Sequence, residues 1–332
     1  MSGTVSRGEK VVLDDPELGA AVGAGLTRVE DMLHSVVRND LDFINETSLH
    51  LMAAGGKRFR PLFTLLAGQF GDPEHENVTK SAVVVELIHL ATLYHDDVMD
   101  EATMRRGAVS ANNRWTNSVA ILTGDYLFSH ASRLVADLGT DAARMIAETF
   151  GELVTGQLRE TVGPVDGENP VNHYLSVIWQ KTGSLIAIAG RFGGLFSGAP
   201  AEQVAALYEY GAVIGTAFQI SDDIIDITSE SADSGKTPGT DLREGVHTLP
   251  ALYELAGDPK PRLAELLSGP ITDEDQVQEA LVMLRECEGM RQAKATLESY
   301  AERAANTLDA LPDGSAKRAL NALTRYVIDR TN

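Results

Sequence analysis

Cysteine, aromatic residues and long apolar runs are all scarce in this chain. One cysteine, Cys287, among 332 residues excludes an intrachain disulfide and a cluster of thiolate metal ligands. Aromatic residues make up 6% of the chain. No uncharged apolar run reaches the roughly 18 residues that a membrane-spanning helix needs, so we expect no such helix. The first residues lack the apolar core of a signal peptide, and we therefore expect a cytoplasmic protein.

Positive charge is also in short supply. The chain has 28 lysines and arginines against 48 aspartates and glutamates, which gives a formal net charge of -20. A surface of this sign repels phosphate backbones, so we expect no nucleic-acid partner. Hydrophobic residues nevertheless make up 43% of the chain, which supports a large core and excludes general disorder.

The chain does contain a nearly continuous helical pattern, in which apolar residues recur at spacings of three and four. This pattern predicts an all-α fold, with a tail at residues 1–14 and a single helical domain at 15–332. Long helices of this kind suit a bundle around a deep central cavity. The predicted helices span residues 17–38, 40–54, 77–100, 116–138, 141–162, 171–197, 202–227, 247–256, 273–285, 290–310 and 315–330.

Two aspartate clusters each end a long apolar helix. The first reads DDVMD at 96–100, and the second reads DDIID at 222–226. The first and last aspartates of each cluster are four residues apart, so they project from the same helix face and repel each other. A cation would relieve this repulsion, and oxygen-only ligands suit Mg²⁺, which prefers carboxylates together with substrate phosphates. A solvated acidic helix end is the alternative for one cluster, but the repetition favours metal binding.

Basic residues follow or precede these clusters along the chain. The segment GGKRFRP at 55–61 places three cations beside glycines, whose flexibility lets backbone N–H groups approach an anion. Arg105, Arg106, Lys181 and Lys236 add further cations. Each of these alone is an ordinary surface residue, whereas together they predict a diphosphate site. His89 lies about two turns before Asp96 on the same helix face, so we expect it to contact a substrate.

Other phosphate-binding and catalytic motifs are absent from the sequence. There is no G-x-x-x-x-G-K-[ST] run and no G-x-G-x-x-G after a predicted strand, which disfavours nucleotide phosphates. The spacing of an EF-hand loop and the G-x-S-x-G turn of α/β-hydrolases are absent too.

In their residues and in their order along the chain, these segments resemble those of the trans-prenyl diphosphate synthases, or polyprenyl synthetases. The likeness covers about residues 40–330 and rests on GGKRFRP, ELIHLATLYHDDVMDEATMRRG, GDYLF, KTGSL, FQISDDIIDI and GKTPGTDLREGVHTLP. It implies an isoprenoid-synthase-like helical bundle, usually a homodimer. The implied reaction adds isopentenyl diphosphate head-to-tail to an allylic prenyl diphosphate.

The resemblance also implies a role for each matching residue. Three Mg²⁺ ions would bind together with the allylic diphosphate, and their ligands would be Asp96, Asp97, Asp100, Asp222, Asp223 and Asp226. The allylic diphosphate would contact Arg105, Lys181, Thr182, Gln219 and Lys236. Isopentenyl diphosphate would be held by Lys57, Arg60, His89 and Arg106. The residues closest to the chemistry would be Asp96, Asp100, Asp222, Lys181 and Arg105.

Small side chains before the first aspartate cluster indicate a long product. If Asp96 holds the diphosphate, the growing tail runs back along its own helix, where residues 78–92 include no Phe, Tyr or Trp. In the family, a bulky residue four or five positions before the first aspartate stops chain growth. Here those positions are Thr92 and Ala91, with Ile88 one turn further on. The helix length then predicts a product of about thirty to fifty carbons, as in a quinone side chain.

Several alternatives remain open at this point. An aromatic side chain from another helix would close the tunnel and give a shorter geranylgeranyl or farnesyl product; the candidates are Phe63, Tyr126, Phe128, Phe150 and Trp179. A class I terpene cyclase would need neither GGKRFRP nor a second aspartate cluster. A non-catalytic synthase subunit should have lost carboxylates that are intact here. A long apolar product also suggests peripheral membrane contact for its release.

Overall fold

The computed structural model describes residues 15–229 and 238–331 of the chain. The predicted tail at 1–14 and the predicted diphosphate ligand Lys236 lie outside these residues. Helices make up most of the described chain, and the all-α prediction is confirmed. The chain divides into two compact units. The assignment of residues 15–332 to a single domain stays a prediction.

The first unit comprises residues up to 151, together with 185–208 and 310–320. Its first helix begins at a well-formed cap, because Asp15 accepts hydrogen bonds from the N–H groups of Glu17 and Leu18 at 3.1 Å each. The first seven helices of the chain all begin in this unit; they are α1 (Pro16–Val36), α2 (Asp42–Ala53), α3 (Phe59–Gly68), α4 (Glu76–Met99), α5 (Ala111–Arg114), α6 (Asn117–Asp137) and α7 (Thr140–Val162).

Helix α4 forms the centre of this unit's core. Its side chains from Val78 to Ala91 are all buried except those of Lys80 and His89, and the helix packs against α1, α3 and α6. The valine-rich run therefore lies in a buried helix, as predicted. Gly124 lets α6 approach closely, since a Cβ at this position would lie 2.3 Å from the His95 ring.

A short antiparallel hairpin follows α4 and was not predicted. Strand β1 (Met104–Arg105) pairs with β2 (Ala108–Val109). The two residues between the strands, Arg106 and Gly107, have φ angles of +54° and +76°, as a two-residue type I′ turn requires. Strands of two residues are too short to show alternating polarity, so the sequence pattern does not reveal them.

The second unit comprises residues 152–184, 209–309 and 321–332. A π-helical segment, Trp179–Gly183, divides the helix predicted at 171–197, and such segments are frequent at functional sites. Its flanking helices are α8 (Pro170–Ile178) and α9 (Ser184–Phe196), and α9 continues in the first unit. The helices α10 (Ala201–Thr228) and α16 (Ser315–Asp329) begin in the first unit and continue in the second. The remaining helices of the second unit are α11 (Thr240–Glu244), α12 (Leu249–Ala256), α13 (Pro261–Leu266), α14 (Glu274–Arg285) and α15 (Glu288–Thr307), with a 3₁₀ turn at Leu308–Ala310.

Helices α12 and α15 pack closely in the core of the second unit. A Cβ at Gly289 would lie 2.2 Å from the carbonyl oxygen of Pro250, so glycine is required there. The buried carboxylate of Glu254 accepts a hydrogen bond from the Gly289 N–H at 3.0 Å. Within the ranges that the structure describes, no helix combines the length and the apolar character needed to cross a bilayer.

Candidate active site

The first aspartate cluster lies at the C-terminal end of α4. Asp97 is fully buried, and its Oδ1 accepts a hydrogen bond from Arg105 Nε at 2.5 Å. Its Oδ2 is buried and has no hydrogen-bond partner among the described residues. Burial raises the pKa of Asp97, although Arg105 opposes this shift. Asp96 is half-buried, whereas Asp100 is exposed and lies 3.6 Å from Arg105 Nη2. Arg105 thus offsets part of the cluster's charge.

Arg106, in the turn of the hairpin, contacts both His89 of α4 and the glycine-rich loop, which comprises residues 55–58. Arg106 Nη1 donates hydrogen bonds to the carbonyl oxygens of Gly55 at 2.5 Å and Leu51 at 3.3 Å, and Nη2 lies 3.4 Å from His89 Nε2. Burial and the nearby charges of Arg60 and Arg106 keep the pKa of His89 well below its ordinary value. His89 is therefore neutral near pH 7.

Arg60 and Lys57 complete the cationic group of the first unit. Burial lowers the pKa of Arg60 to about 10, so this guanidinium still carries its charge at pH 7. Its Nε is buried and has no hydrogen-bond partner within the part of the chain that the structure describes. Lys57 is exposed. These cations form a suitable binding group for a diphosphate, which accepts several charge-assisted hydrogen bonds.

Only one of the three positions expected to limit product length is accessible. Thr92 is half-buried, and its hydroxyl donates a hydrogen bond to the carbonyl oxygen of His89 at 2.8 Å. Ile88 and Ala91 are each only 1% exposed, and the Ala91 carbonyl lies against Gly124 of α6. The assignment of the three side chains to a tunnel wall stays a prediction.

Asp222, in the second cluster, forms an ion pair with Arg330. The Arg330 guanidinium also donates hydrogen bonds to Ser221 Oγ at 2.7 Å and to the Phe218 carbonyl oxygen at 3.1 Å. Its Cζ lies 4.1 Å from the centre of the Phe218 ring. No sequence signal pointed to Arg330, because its side chain meets Asp222 across 108 residues of chain.

Asp223 is the buried member of the second cluster. It accepts hydrogen bonds from the Tyr174 hydroxyl and from Gln219 Nε2, the latter at 2.9 Å. Burial raises the pKa of Asp223 to about 7, and the charges of Asp222 and Asp226 act in the same direction. Gln219 in turn accepts a hydrogen bond from the Thr182 hydroxyl at 3.2 Å. Tyr174 was not singled out in the sequence, although the other members of this chain of contacts were.

Lys181 lies in the π-helical segment and forms an ion pair with Glu160. Both residues line a cavity of about 660 Å³ in the second unit. Its other polar lining residues include Thr182, Gln219, Asp223 and Asp241, and its apolar ones include Val171, Ile178, Leu252 and Leu255. A cavity lined by both charged or polar side chains and apolar ones suits a ligand that carries both a charged head and a hydrocarbon chain.

The carboxylates fit a hard divalent cation that takes oxygen ligands. Asp97 retains a buried oxygen without a hydrogen bond from any described residue, and both clusters offer only carboxylate oxygens. Among residues 15–229 and 238–331, no group of three or more His, Cys, Asp or Glu side chains is placed to hold a metal ion. A cation held here would therefore complete its coordination with water or substrate oxygens.

Residues 42–284 match the family model of the polyprenyl synthetases. The chain belongs to this family. It is 55% identical over 323 residues to the nonaprenyl diphosphate synthase of Mycobacterium tuberculosis, and this match covers 96% of each protein. A dimethylallyltranstransferase of the same organism is 46% identical, over 96% of this chain and 98% of that protein. The geranylgeranyl pyrophosphate synthase of Corynebacterium glutamicum, solved with calcium and isoprenyl diphosphate, is 51% identical, with a TM-score of 0.87 over 96% of this chain and 99% of that chain.

These matches confirm the predicted family and the predicted all-α fold. The polyprenyl synthetase is a prenyltransferase, as the sequence also predicted. The family match disfavours the terpene cyclase alternative. The roles assigned to individual site residues stay predictions.

Proposed function

We propose that this polyprenyl synthetase adds isopentenyl diphosphate units head-to-tail to an allylic prenyl diphosphate, in a reaction that depends on Mg²⁺. The observation that carries the proposal is the cationic group of Lys57, Arg60 and Arg106 in the same unit as the first aspartate cluster. A chain that condenses two diphosphates needs such a group, because the metal-binding aspartates serve only one of them. A cyclase, which takes a single diphosphate, does not.

The aspartates hold the metal ions in this proposal. Asp96, Asp97 and Asp100 bind Mg²⁺ for the allylic diphosphate, and Asp222, Asp223 and Asp226 bind Mg²⁺ in the second cluster, with three ions in total. When bound, Mg²⁺ stabilises the negative charge that develops on the leaving diphosphate. The oxygen-only ligand set supports this assignment, and so does the Oδ2 of Asp97, which accepts no hydrogen bond from the residues that the structure describes.

Basic and polar side chains bind and orient the two substrates. Arg105, Lys181, Thr182, Gln219 and Lys236 contact the allylic diphosphate, whereas Lys57, Arg60, Arg106 and neutral His89 hold isopentenyl diphosphate. The allylic C–O bond breaks, and the double bond of isopentenyl diphosphate attacks the resulting cation. The proton that is then released passes to the departed diphosphate. Buried apolar walls keep water from the cation, which would otherwise be quenched.

We infer a long product, of about thirty to fifty carbons, from the small side chain at Thr92 and from the helix length. The nonaprenyl diphosphate synthase, at 55% identity, supports this length. The geranylgeranyl pyrophosphate synthase, at 51% identity, favours a second candidate with a much shorter product.

We also propose a cytoplasmic homodimer that contacts membranes only peripherally when it releases product. An apolar stripe on α7 supports the dimer: Val154, Leu158 and Val162 are 43%, 60% and 77% exposed. These residues are four apart and therefore lie on one face of the helix, where a second copy would cover them.

Incubation of the purified chain with isopentenyl diphosphate and Mg²⁺ tests the function. Dimethylallyl, geranyl, farnesyl and geranylgeranyl diphosphate serve in turn as primers, and the dephosphorylated products are separated by reversed-phase chromatography. We expect chains well beyond geranylgeranyl length, and a reaction that a chelator abolishes. Products that stop at geranylgeranyl length would establish the second candidate. A chain that incorporates no isopentenyl diphosphate with any primer would refute both.

A further inference from the structure

Arg58, the middle cation of the glycine-rich loop, has an unusual backbone conformation. Its φ and ψ angles are +47° and +37°, in the left-handed region, immediately before α3 begins. An L-residue with a side chain is disfavoured in this region and persists there only when its surroundings hold it. Contacts made by Arg58 should therefore account for the conformation.

The Arg58 side chain is buried and joined to three helices. It is 12% exposed, and its Nη1 donates a hydrogen bond to Glu86 Oε1 of α4 at 3.1 Å. Its Nη2 donates to Glu30 Oε2 of α1 at 3.3 Å and to the carbonyl oxygen of Met52 of α2 at 3.2 Å, and its Nε also pairs with Glu30. Arg58 thus fixes the end of the loop to α1, α2 and α4.

Glu86 provides the most deeply buried of these contacts. Its side chain is 2% exposed. Burial raises the pKa of Glu86, and the nearby charges of Arg58, Arg60 and Arg106 oppose this shift. A carboxylate at this depth is tolerated only when its charge is compensated. Glu86 is therefore the shared counter-charge of the arginines around the loop.

The other end of the loop is fixed as well. Arg106 holds the carbonyl oxygen of Gly55 at 2.5 Å. The next residue, Gly56, has a φ of +143°, and a Cβ there would lie 2.8 Å from Arg106 Cζ. With both ends held, the exposed side chain of Lys57 starts from a defined backbone position.

We propose that Arg58 and Glu86 form a positioning pair that fixes the loop at residues 55–58 and the start of α3 for isopentenyl diphosphate. Neither residue contacts substrate, and both act through Lys57 and Arg60. This inference rests on the proposed function, because it assigns a role within the isopentenyl diphosphate site.

Replacement of Glu86 should affect diphosphate binding in opposite directions, depending on whether the arginines act through their charge or through their position. If the arginines acted only through their charge, loss of the buried carboxylate would make the site more positive and would strengthen diphosphate binding. If position decides, loss of Glu86 releases Arg58 and weakens binding. The direction of the change in KM for isopentenyl diphosphate in Glu86→Gln therefore separates the two.

The test compares Glu86→Gln, Arg58→Gln and the double variant by steady-state kinetics with each substrate varied in turn. We expect each single variant to raise KM for isopentenyl diphosphate about tenfold, with KM for the allylic substrate within about twofold of wild type. We expect the double variant to show no larger rise than either single one, because the pair acts as a unit. Arg58→Lys keeps the charge but loses the planar fork, so it should show a similar rise.

Glu254→Gln is the matched control, because Glu254 is also a buried carboxylate with a backbone hydrogen-bond donor. It should lower Tm without changing either KM. An unchanged or lower KM for isopentenyl diphosphate in Glu86→Gln would overturn the inference, and so would an equal rise for both substrates. If Glu86→Gln fails to fold, Glu86→Asp keeps the charge but shortens the side chain, and an unchanged KM there would refute the pair equally. A wild-type chain without activity would instead refute the proposed function.

Discussion

The second aspartate of each cluster is buried, while its neighbours are more accessible. Asp97 contacts Arg105, and Asp223 contacts Tyr174 and Gln219. Helical spacing had paired the first and last aspartates of each cluster, whereas only the family resemblance implied a role for the second one. Burial and these hydrogen bonds hold the second carboxylate of each cluster in a defined orientation.

Replacement of the first aspartate in either cluster should abolish most activity. We expect Asp96→Ala and Asp222→Ala each to lower kcat at least about a hundredfold, because loss of a metal ligand removes stabilisation of the leaving diphosphate. Circular dichroism should show an unchanged fold. Asp137→Ala, at an exposed position on α6, serves as the control and should leave kcat unchanged. Near-wild-type turnover in either cluster variant would rule out its assignment as a metal ligand.

When a chelator keeps metal ions away, the raised pKa of Asp223 should make the stability of the folded protein depend on pH. The folded protein holds this proton more tightly than the unfolded chain does, since burial raises the pKa from 3.8 to about 7. The carboxyl therefore costs increasing stability as the pH rises from about 4 to about 7, and its full cost is present above that range. Asp223→Asn removes this cost. The Tm of the variant minus the Tm of the wild type should therefore be at least about 2 °C higher at pH 8 than at pH 5. A difference independent of pH would contradict the shift.

Local sequence signals pointed to the candidate aspartates and cations, but not to the side chains that form hydrogen bonds or ion pairs with them. Lys57, Arg60 and the aspartates stand beside glycines or at helix ends, where spacing is informative. Arg330 and Tyr174 meet their aspartates from 108 and 49 residues away. Such partners depend on tertiary packing, which one sequence does not reveal.

Among the elements, the long helices and α12 were predicted, whereas the shortest elements were not. Helix α6, for example, was predicted at 116–138 and spans Asn117–Asp137. A helix of this length shows several repeats of its apolar period and ends at recognisable caps. The hairpin after α4, the π-helical segment and the short helices α5, α11 and α13 contain too few residues to show a period.

The close contact between α4 and α6 should be sensitive to a single methyl group. A Cβ at Gly124 would lie 2.3 Å from the His95 ring and 3.0 Å from the Ala91 carbonyl oxygen. We expect Gly124→Ala to destabilise the protein by about 1–3 kcal/mol, because the two helices must separate. Gly23→Ala on α1 is the control, since no atom lies within 4 Å of the added Cβ, and it should stabilise by up to about 1 kcal/mol. Urea denaturation measures both, and equal effects would refute the packing argument.

Product length should respond to Thr92 on α4. A phenyl ring at this half-buried position, one turn before Asp96, would fill the space that the growing tail needs. We expect Thr92→Phe to shorten the product to farnesyl or geranylgeranyl length, measured by chromatography of the dephosphorylated chains. Ala91→Phe should instead lower Tm, because Ala91 is only 1% exposed and lies against α6. Full-length products from Thr92→Phe would show that this helix face does not guide the tail.

At the scale of the whole molecule, the exposed stripe on α7 bears on assembly. We expect light scattering to give twice the mass of one chain for the wild type. Leu158→Glu should reduce this value to a single chain mass, because a charge would be buried at the centre of the covered stripe. Val282→Glu, which replaces an apolar side chain on α14 that is 54% exposed, should leave the dimer intact. A dimer that survives Leu158→Glu would place the interface elsewhere.

The hairpin after α4 makes the chain more sensitive to changes in length than to changes in residue type. Arg105 reaches back to Asp97 and Asp100, whereas Arg106 reaches Gly55 and Leu51. Arg105 ends β1 and Arg106 lies in the turn, so a shift of one position would place each guanidinium at a different point of the hairpin. The gain or loss of a single codon between Asp100 and Arg105 would therefore misdirect both guanidinium groups at once. Most point substitutions in the same stretch would disturb only one of them.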